Sequence, residues 1–417
     1  MENSGNEFDV IVVGAGIMGS CAAYQTAKRG HKTLLLEQFD FLHHRGSSHG
    51  ESRTIRATYP EPYYADMVLQ SSLLWEEAQL EIGYTVYYKT RQLDVGPSDD
   101  KSLLAVIDNC RSNSIEFRVL DHSQVVEEFS GKVALPQNWV AVVTELGGVI
   151  KPTKAVSTFQ TLALRNGAVL KDNMEVCAIT RREEDNAAGG GVLACTANGE
   201  KFYGKKCVVT AGAWTKKLLE KVTAGFDIPI QPLEATVCYW RIKEGFEMDY
   251  SIQGGFPTFA SYGKLYVYGT PSLEYPGLIK VALHGGWSCD PDKRRWSMSS
   301  EPALAQLREW IRETFVGRVE SDVPVVTQSC MYSMTPDEDF VIDFLGGEFG
   351  KDVVVAGGFS GHGFKMGPVV GRVLADLVLD GVAGVDMKHF TFARFKDNPR
   401  GNVKEFGDQV LSHSNPT

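Results

Sequence analysis

The segment from residue 9 to residue 37, DVIVVGAGIMGSCAAYQTAKRGHKTLLLE, restricts the fold of this chain more than any other. It begins with an apolar run over 10–13, typical of a buried parallel strand, and then places Gly14, Gly16 and Gly19 at G-x-G-x-x-G spacing. Apolar residues follow at helical spacing, and a second apolar run ends the segment. This order predicts a strand, a tight turn, a helix and a second strand, which together make a dinucleotide-binding unit.

The turn and the acid at the end of this unit predict the class of ligand. Gly14 permits the tight turn, Gly16 lets the backbone approach a pyrophosphate, and Gly19 lets the helix pack closely on the strand. The N–H groups at the start of the helix then face the phosphates. Glu37 follows Gly19 by 18 residues, where a carboxylate accepts hydrogen bonds from the adenosine ribose and repels a 2′-phosphate. We therefore expect FAD or NAD rather than NADP.

Length and charge set further limits. A chain of 417 residues exceeds one ordinary core, so two domains are expected. The net charge of −10 and the pI near 5.5 argue against a nucleic-acid surface. No apolar run is long enough to span a bilayer, and the polar start MENSGNEF lacks signal-peptide features, so we expect an intracellular protein. The eight cysteines lack C-x-x-C spacing and close partner histidines, so no metal site is predicted.

Two further regions have the pattern of a ligand-binding edge. Residues 39–56 form a polar loop with three histidines and three arginines after the second strand, where ligands bind in open α/β folds. Arg53 and Arg56 are three residues apart and share a face if this segment is helical. An apolar run over 352–356 leads into a glycine-rich turn and a helix within 357–381. The N-terminus of that helix is predicted to face a second part of the same ligand.

Between these regions the pattern changes. Residues 84–146 mix strands and short helices without the rhythm of βαβ units, and residues 228–326 alternate aromatic and polar side chains in the manner of a sheet. Within the latter, Leu278–Leu283 is predicted as a strand and Glu301–Thr314 as an amphipathic helix. The segment 207–215 is predicted to form a further buried strand of the first sheet and the turn that follows it. The pattern is compatible with a discontinuous dinucleotide-binding domain.

Six motifs together resemble the monomeric sarcosine oxidase family of flavoproteins, with plant-type sarcosine/pipecolate oxidases as the branch that is most similar. They are GAGIMGS (14–20), SSHGESRTIR (47–56), TAGAWT (210–215), IKVALHGG (279–286), CMYSMTPDEDFVID (330–343) and GFSGHGFK (358–365). The resemblance implies an α/β plus α+β fold, with a discontinuous Rossmann-like FAD-binding domain and a substrate domain built on a mostly antiparallel sheet. The expected ranges are 1–85, 147–222 and 327–417 for the FAD-binding domain and 86–146 and 223–326 for the substrate domain.

The resemblance also implies the cofactor and its attachment. Cys330 matches the cysteine that forms a thioether with the flavin ring, and the electron-withdrawing thioether raises the flavin potential. Without the family match, Cys330 reads as one more buried thiol. The cofactor-binding residues expected from the unit at the start of the chain and from the resemblance are Gly14, Gly16, Gly19, Glu37, Val176, Cys330, Gly361, Gly363 and Lys365.

The same resemblance assigns a substrate site. Arg56 and Lys365 match the residues that hold the substrate carboxylate, although either residue also has a plain reading as half of a structural ion pair. His284 matches a group near the substrate amine, where it polarises the amine or accepts a proton, and we count it as a catalytic candidate. Tyr268 and Tyr332 match residues that line the pocket.

A third group matches residues on the flavin face opposite the substrate. Lys280, Arg53 and His49 belong to it, with Lys280 as the residue that activates O2. A fixed ammonium beside O2 stabilises the negative charge that develops as the first electron arrives. From the strand pattern alone, Lys280 reads as a charge on a solvated face, and His284, four residues on, lies on the same face.

The function implied is oxidation of a secondary amino acid, sarcosine or L-pipecolate, by O2 to an imine, which hydrolyses, and H2O2. The alternatives are a related flavin enzyme for N-methyltryptophan, a fructosyl amino acid or another acceptor, an NAD-dependent dehydrogenase, or a noncatalytic dinucleotide binder. The partners expected are the small amino acid and O2, with no nucleic acid and no membrane, and the protein is expected to be a monomer. Relatives suggest a peroxisomal location, whereas the final residues 415–417 do not match Ser-Lys-Leu, which leaves the cytoplasm as the alternative.

Overall fold

The structure is a computed structural model, and it describes residues 6–182, 190–223, 227–294, 296, 301–404 and 406. The segments 1–5 and 415–417, used above in the expectations about targeting, lie outside these ranges. The strands are β1 (Glu7–Val13), β2 (Thr33–Leu36), β3 (Arg53–Arg56), β4 (Tyr87–Pro97), β5 (Phe117–Leu120), β6 (Trp139–Ile150), β7 (Val169–Lys171), β8 (Val176–Arg181), β9 (Val192–Thr196), β10 (Lys201–Val209), β11 (Gln231–Arg241), β12 (Thr258–Ser261), β13 (Val267–Thr270), β14 (Leu278–Leu283), β15 (Trp287–Ser288), β16 (Val326–Met334), β17 (Val341–Phe344) and β18 (Val353–Gly357).

Helices connect these strands and cover the first sheet. They are α1 (Ile17–Lys28), α2 (Pro62–Ile82), α3 (Lys101–Ser112), α4 (His122–Glu128), α5 (Pro152–Arg165), α6 (Thr215–Val222), α7 (Glu301–Thr314), α8 (Gly367–Asp380) and α9 (Ala393–Asp397). Short 3₁₀ turns lie at Gly212–Trp214, Gly347–Phe349 and Phe364–Met366. Helix α1 packs against α5 and α8.

The first sheet has eight strands, of which β18, β10, β1, β2 and β7 are parallel neighbours in that order. Strand β17 pairs antiparallel with β18 at one edge, and β9 and β8 extend from β10 as antiparallel strands. The four carboxyl ends of β18, β10, β1 and β2 therefore meet at one edge. This edge is where an open α/β sheet binds its ligand.

Close helix packing behind this edge depends on glycine. A Cβ built on Gly371 of α8 would lie 2.4 Å from the Cβ of Cys21 on α1, so only hydrogen fits between the helices. Both helices bury most of their residues. The packing fixes α1, and with it the turn after β1, at the edge of the sheet.

The second sheet has ten strands and is mostly antiparallel, in the order β15-β11-β14-β13-β12-β4-β6-β3, with β16 beside β11 and β5 beside β6. One pair, β12 with β4, is parallel. Its apolar side packs on α7, which is buried through Leu304, Leu307 and Ile311. Alternation in the sequence predicted β14 and helical spacing predicted α7, and the structure confirms both at the predicted residues.

The structure decides two local points that the sequence left open. Residues 53–56 form strand β3 rather than a helical turn, because they pair with Gly147–Ile150 of β6. The predicted helix after the glycine-rich turn is confirmed as α8, which begins at Gly367, and a 3₁₀ turn at 364–366 lies between the glycines and the helix. Strands β3 and β16 belong to the second sheet although they lie in ranges expected to bind FAD. The domain boundaries themselves stay a prediction, because sheet membership alone does not define a domain.

Candidate active site

Two connected cavities lie between the sheets. The first has a volume of about 300 Å³ and is lined by the segments that follow β1, β2 and β10, together with residues of the glycine-rich turn after β18. The second, of about 150 Å³, lies against β3, β13 and β14. Five residues line both cavities: Arg53, Cys330, Tyr332, Gly361 and Phe364. A ligand that fills the first cavity would therefore end beside the five residues that also line the second cavity.

The turn after β1 forms the floor of the first cavity. Gly14 has φ +98°, and a Cβ there would lie 2.5 Å from the carbonyl oxygen of Thr210. A Cβ on Gly19 would lie 1.8 Å from the carbonyl oxygen of Gly14. Either substitution would push the turn out of place, so both glycines are required by contacts of the backbone itself. Gly16, at the helix start, lines the cavity with the backbone exposed toward a ligand.

Glu37 lies at the end of β2 and also lines this cavity. Its carboxylate accepts hydrogen bonds from the N–H of Ala15 at 2.8 Å and of Phe39 at 3.2 Å, which fix it beside the glycine turn. The ring of His43 lies 3.3 Å away. The carboxylate is therefore held where a ribose would be bound, next to the helix N-terminus expected to hold phosphate. Val176 and Gly363 line the same cavity.

Arg53 and Cys330 form the junction of the two cavities. The Arg53 guanidinium donates to the carbonyl oxygens of Ser52, Ser47 and His49 at 2.9, 3.1 and 2.6 Å, and its Nη2 lies 3.5 Å from the Cys330 Sγ. Cys330 is a buried free thiol on β16. A positive charge thus stands beside a buried thiol at the junction of the two cavities.

Arg56 is the first of two buried cations in the second cavity. It donates to the Thr58 carbonyl oxygen, to the Tyr262 hydroxyl at 3.2 Å and to the Tyr266 hydroxyl at 2.6 Å. The Asp94 carboxylate lies 3.9 Å away. These contacts fix the orientation of the guanidinium donors. The Arg56 residue is 8% exposed.

Lys365 is the second cation. Its Nζ donates to the Tyr59 hydroxyl and to the His362 carbonyl oxygen, both at 2.8 Å. Burial, followed by the charge of Arg56, lowers the pKa of this amine well below its usual range. Within the described residues no carboxylate lies at ion-pair distance from Lys365. An anionic ligand would supply the missing negative charge between the two cations.

The loop that carries Lys365 is held from behind. The Lys365 carbonyl oxygen accepts from the Ser71 hydroxyl at 2.7 Å and from the Trp75 indole at 2.8 Å, and both donors lie on α2. The His362 ring lies between the Tyr59 hydroxyl, at 3.1 Å, and the Glu338 carbonyl oxygen, at 2.9 Å. His362 therefore supports the loop.

Lys280 on β14 lines the second cavity and is 2% exposed. Its Nζ donates to the Ser52 carbonyl oxygen at 2.9 Å and lies 5.4 Å from the centre of the Tyr268 ring. Burial, followed by the positive charge of Arg53, lowers the pKa of the amine to about 7. The surroundings of Lys280 therefore disfavour the charged form of its amine. A pKa shifted in this way is typical of a lysine with a chemical role.

His49 lies behind Arg53 and is buried. Neither ring nitrogen has a hydrogen-bond partner among the residues that the structure describes. Burial, followed by the positive charge of Arg53, lowers the pKa of the imidazole to about 3, so the ring is neutral. The His49 carbonyl oxygen accepts from Arg53 at the junction of the cavities. A role for the His49 ring stays a prediction.

Aromatic side chains form the remaining wall. The hydroxyls of Tyr268 and Tyr332 are 3.1 Å apart, and the ring of His284 packs on Tyr332 and Tyr266, with centroids 5.3 Å apart in each case. A Cβ on Gly361 would lie 2.9 Å from the Tyr332 ring and 3.0 Å from His284. Gly361 thus keeps the passage between the cavities open.

Sequence reasoning missed several residues of this site. Tyr59, Tyr262 and Tyr266 orient the two cations, and Glu338 lines the same cavity. The motif SYGKLYVYG (261–269) brings tyrosines close together in sequence, but Tyr262 and Tyr266 lie between strands β12 and β13, where strand alternation does not indicate the direction of a side chain. Tyr59 and Glu338 lie in loops, where no periodicity indicates the direction of a side chain.

Comparison with known proteins gives one family and close relatives. The family model of FAD dependent oxidoreductases (DAO) matches residues 9–377. The chain is 65% identical over 407 residues to a probable sarcosine oxidase of Arabidopsis thaliana, with 97% of this chain and 96% of the relative covered. It is 34% identical to the peroxisomal sarcosine oxidase of Homo sapiens, with 93% of this chain and 96% of the relative covered.

A solved structure supports the fold. The L-proline dehydrogenase of P. horikoshii superposes with a TM-score of 0.76 at 21% identity, and the match covers 94% of this chain and 98% of that chain. At that identity the likeness concerns the fold alone. In the part of the chain that the structure describes, no helix is long and apolar enough to cross a membrane.

Proposed function

The chain belongs to the family of FAD dependent oxidoreductases, and on that basis we propose that it oxidises a small secondary amino acid, sarcosine or L-pipecolate, with O2. FAD, when bound, takes a hydride equivalent from the carbon beside the nitrogen and passes the electrons to O2, which gives an imine and H2O2. The imine then hydrolyses. The family also argues against the NAD-dependent dehydrogenase considered from the sequence.

The first cavity fits the cofactor. The glycine turn after β1, where backbone atoms leave no room for a Cβ on Gly14 or Gly19, offers N–H groups to a pyrophosphate, and Glu37 offers carboxylate oxygens to a ribose. Arg53 and Cys330 stand at the end of the first cavity where the flavin ring would lie. The Glu37 carboxylate would repel the ribose 2′-phosphate of NADP, whereas FAD has no such phosphate.

The proposed substrate class rests on the two buried cations, Arg56 and Lys365. Arg56 and Lys365 lie in one cavity of about 150 Å³ with Tyr59 between them, which suits the carboxylate of one small amino acid. The aromatic wall of Tyr268 and Tyr332 suits the methyl or ring carbons on the nitrogen.

The test is a panel of amines mixed with purified enzyme. Under anaerobic conditions we expect sarcosine or L-pipecolate to bleach the flavin absorbance, and in air we expect stoichiometric H2O2. N-methyltryptophan and a fructosyl amino acid serve as the alternative substrates, and a dye acceptor replaces O2 in a parallel series. If neither sarcosine nor L-pipecolate reduces the flavin, the proposed substrate class is wrong.

We further propose that the flavin is bound covalently through the Cys330 sulfur, which lies 3.5 Å from a guanidinium nitrogen of Arg53. After acid precipitation, we expect the yellow colour to stay with the wild-type protein and to move completely into the supernatant for Cys330→Ser. Cys289→Ser is the matched control, because that half-buried thiol contacts the Met331 sulfur at 4.0 Å instead. Release of the colour from the wild type would show that the attachment is noncovalent.

A peroxisomal location and a monomeric state complete the proposal. The human relative named above is described as peroxisomal, which supports the location. Imaging of a tagged full chain against a peroxisomal marker tests the location, and sedimentation at several concentrations tests the oligomeric state. A diffuse cytoplasmic signal, or a mass that rises with concentration, would contradict the respective expectation.

A further inference from the structure

Three consecutive carboxylates, Asp337, Glu338 and Asp339, differ sharply in their partners. Asp337 accepts from the Arg394 guanidinium at 2.7 Å and from the backbone N–H of Asn402 at 2.8 Å. Asp339 accepts from the hydroxyls and amides of several neighbours. By contrast, the buried Oε1 of Glu338 has no hydrogen-bond partner among the described residues. A buried acceptor without a donor is costly, so a ligand that donates there would be bound strongly.

The backbone directs Glu338 away from its two neighbours and into the substrate cavity. Its φ is +60°, a left-handed conformation that is unusual for a side chain of this size, and its carbonyl oxygen is fixed by the His362 ring at 2.9 Å. Glu338 lines the second cavity, and its Oε2 lies 3.9 Å from the Nε2 of His284.

The second cavity is therefore lined by groups of both kinds, cations and a carboxyl. Arg56 and Lys365 supply positive charge for a carboxylate, whereas Glu338 supplies an unpaired acceptor. An amino acid has a matching polarity, because its carboxylate is negative and its amine is a donor. His362 contacts both residues, since its backbone carbonyl accepts from the Lys365 amine and its ring Nε2–H donates to the Glu338 carbonyl oxygen.

We propose that Glu338 binds the substrate amine, accepting its N–H through the unpartnered oxygen, and so selects amino acids over plain carboxylic acids. This inference rests on the proposed function and adds the group that recognises the nitrogen. When the substrate arrives as an ammonium, Glu338 also receives one proton: the N–H bond breaks, an O–H bond forms, and the neutral amine remains for oxidation.

The electrostatics of the site agree with this role. Burial, together with the negative neighbours and against the lowering effect of Lys404, raises the pKa of the Glu338 carboxyl to about 7. Near neutral pH the group can thus both accept and hold a proton. The titratable and charged groups that face it are His284, Tyr266, His362, Lys404, Glu61, Asp337 and Asp339.

The test compares two ligands that differ only at the nitrogen position. Sarcosine carries an N–H, whereas (methylthio)acetate has the same carboxylate and a sulfur without hydrogen. For Glu338→Gln we expect kcat/KM for sarcosine to fall about 10- to 100-fold, as for loss of a hydrogen bond to a charged group. The Kd of (methylthio)acetate, read from the flavin spectrum, should stay within about twofold. Glu348→Gln, an exposed glutamate, is the matched control.

A pH series on the same proteins gives a second readout. In the wild type, kcat/KM for sarcosine should rise about tenfold per pH unit below pH 7 and then level off, because the carboxylate form is the acceptor. In Glu338→Gln, which cannot take up the proton, kcat/KM should no longer level off near pH 7 and should keep rising toward the pKa of the free substrate amine. Equal losses for both ligands, or an unchanged pH profile, would overturn the role of Glu338. If the wild-type flavin is not reduced by any secondary amine, the proposed function fails instead, and the Kd of L-proline against that of (methylthio)acetate then tests Glu338 alone.

Discussion

Replacing Lys280 by methionine is expected to slow the reaction of the reduced enzyme with O2 by on the order of 100-fold or more, which is the usual effect of removing one preorganised electrostatic group. Methionine keeps a similar length and apolar stem but removes the ammonium. The anaerobic reduction by substrate should change little. Stopped-flow measurement of the two half-reactions, each followed at the flavin absorbance, separates these effects.

The position of Lys280 explains the expected size. The residue is buried, and within the described part of the chain its Nζ has one hydrogen bond, of 2.9 Å to the Ser52 carbonyl oxygen, so the charge is poorly solvated and fixed in place. Burial lowers the pKa of this amine to about 7, which means that the protein destabilises the charge until an anion appears beside it. Superoxide, formed when O2 accepts its first electron, is such an anion. The stabilisation therefore applies to the step in which O2 gains charge.

A matched control comes from the neighbouring loop. Lys264 is exposed, and Lys264→Met should leave both half-reactions unchanged. The pH dependence has a definite sign: below pH 7 Lys280 carries its charge, and the O2 reaction should slow as pH rises above the pKa. A bound anion raises that pKa, so the decline is expected at or above pH 7 and should be absent in Lys280→Met. Equal slowing of both half-reactions in that variant would contradict the assignment.

The cofactor end of this site was largely predictable from local sequence. Gly14, Gly16 and Gly19 form one motif of fixed spacing at the junction of β1 and α1, and Glu37 follows at the end of the next strand, so spacing alone locates them. The same holds for β14, where alternation over six residues gave the strand that carries Lys280. Local patterns indicate local structure.

The substrate end depends on contacts between distant segments. Arg56 is oriented by Tyr262 and Tyr266, about 200 residues later in the chain, and no local pattern links them. Residues 53–56 form a strand because β6 offers a partner edge, which overrides their spacing on a helix. Glu338 is directed by a left-handed backbone that no sequence motif signals. In this region the family motifs, rather than periodicity, identified the residues.

The second large effect is expected at Arg56. We expect Arg56→Gln to raise the Kd of (methylthio)acetate on the order of 100-fold, and to lower kcat/KM for sarcosine by a similar factor, because a buried charged partner of the carboxylate is lost. Arg56→Lys keeps the charge but loses the planar fork that contacts Tyr262 and Tyr266, so an intermediate loss is expected. Flavin spectra measure the first quantity, and steady-state kinetics measure the second.

The control must separate substrate binding from stability, because Arg56 also holds the Thr58 carbonyl oxygen. Arg118→Gln removes a half-exposed arginine that pairs with Glu128 on the surface, and it should change neither quantity. Thermal unfolding of each variant reports on stability, and N-methylated amines without a carboxylate report on the rest of the site. If Arg56 binds the carboxylate, its replacement should leave the weak oxidation of such amines unchanged. A parallel loss for amines with and without a carboxylate would mean that Arg56 supports the structure of the cavity and does not bind the substrate.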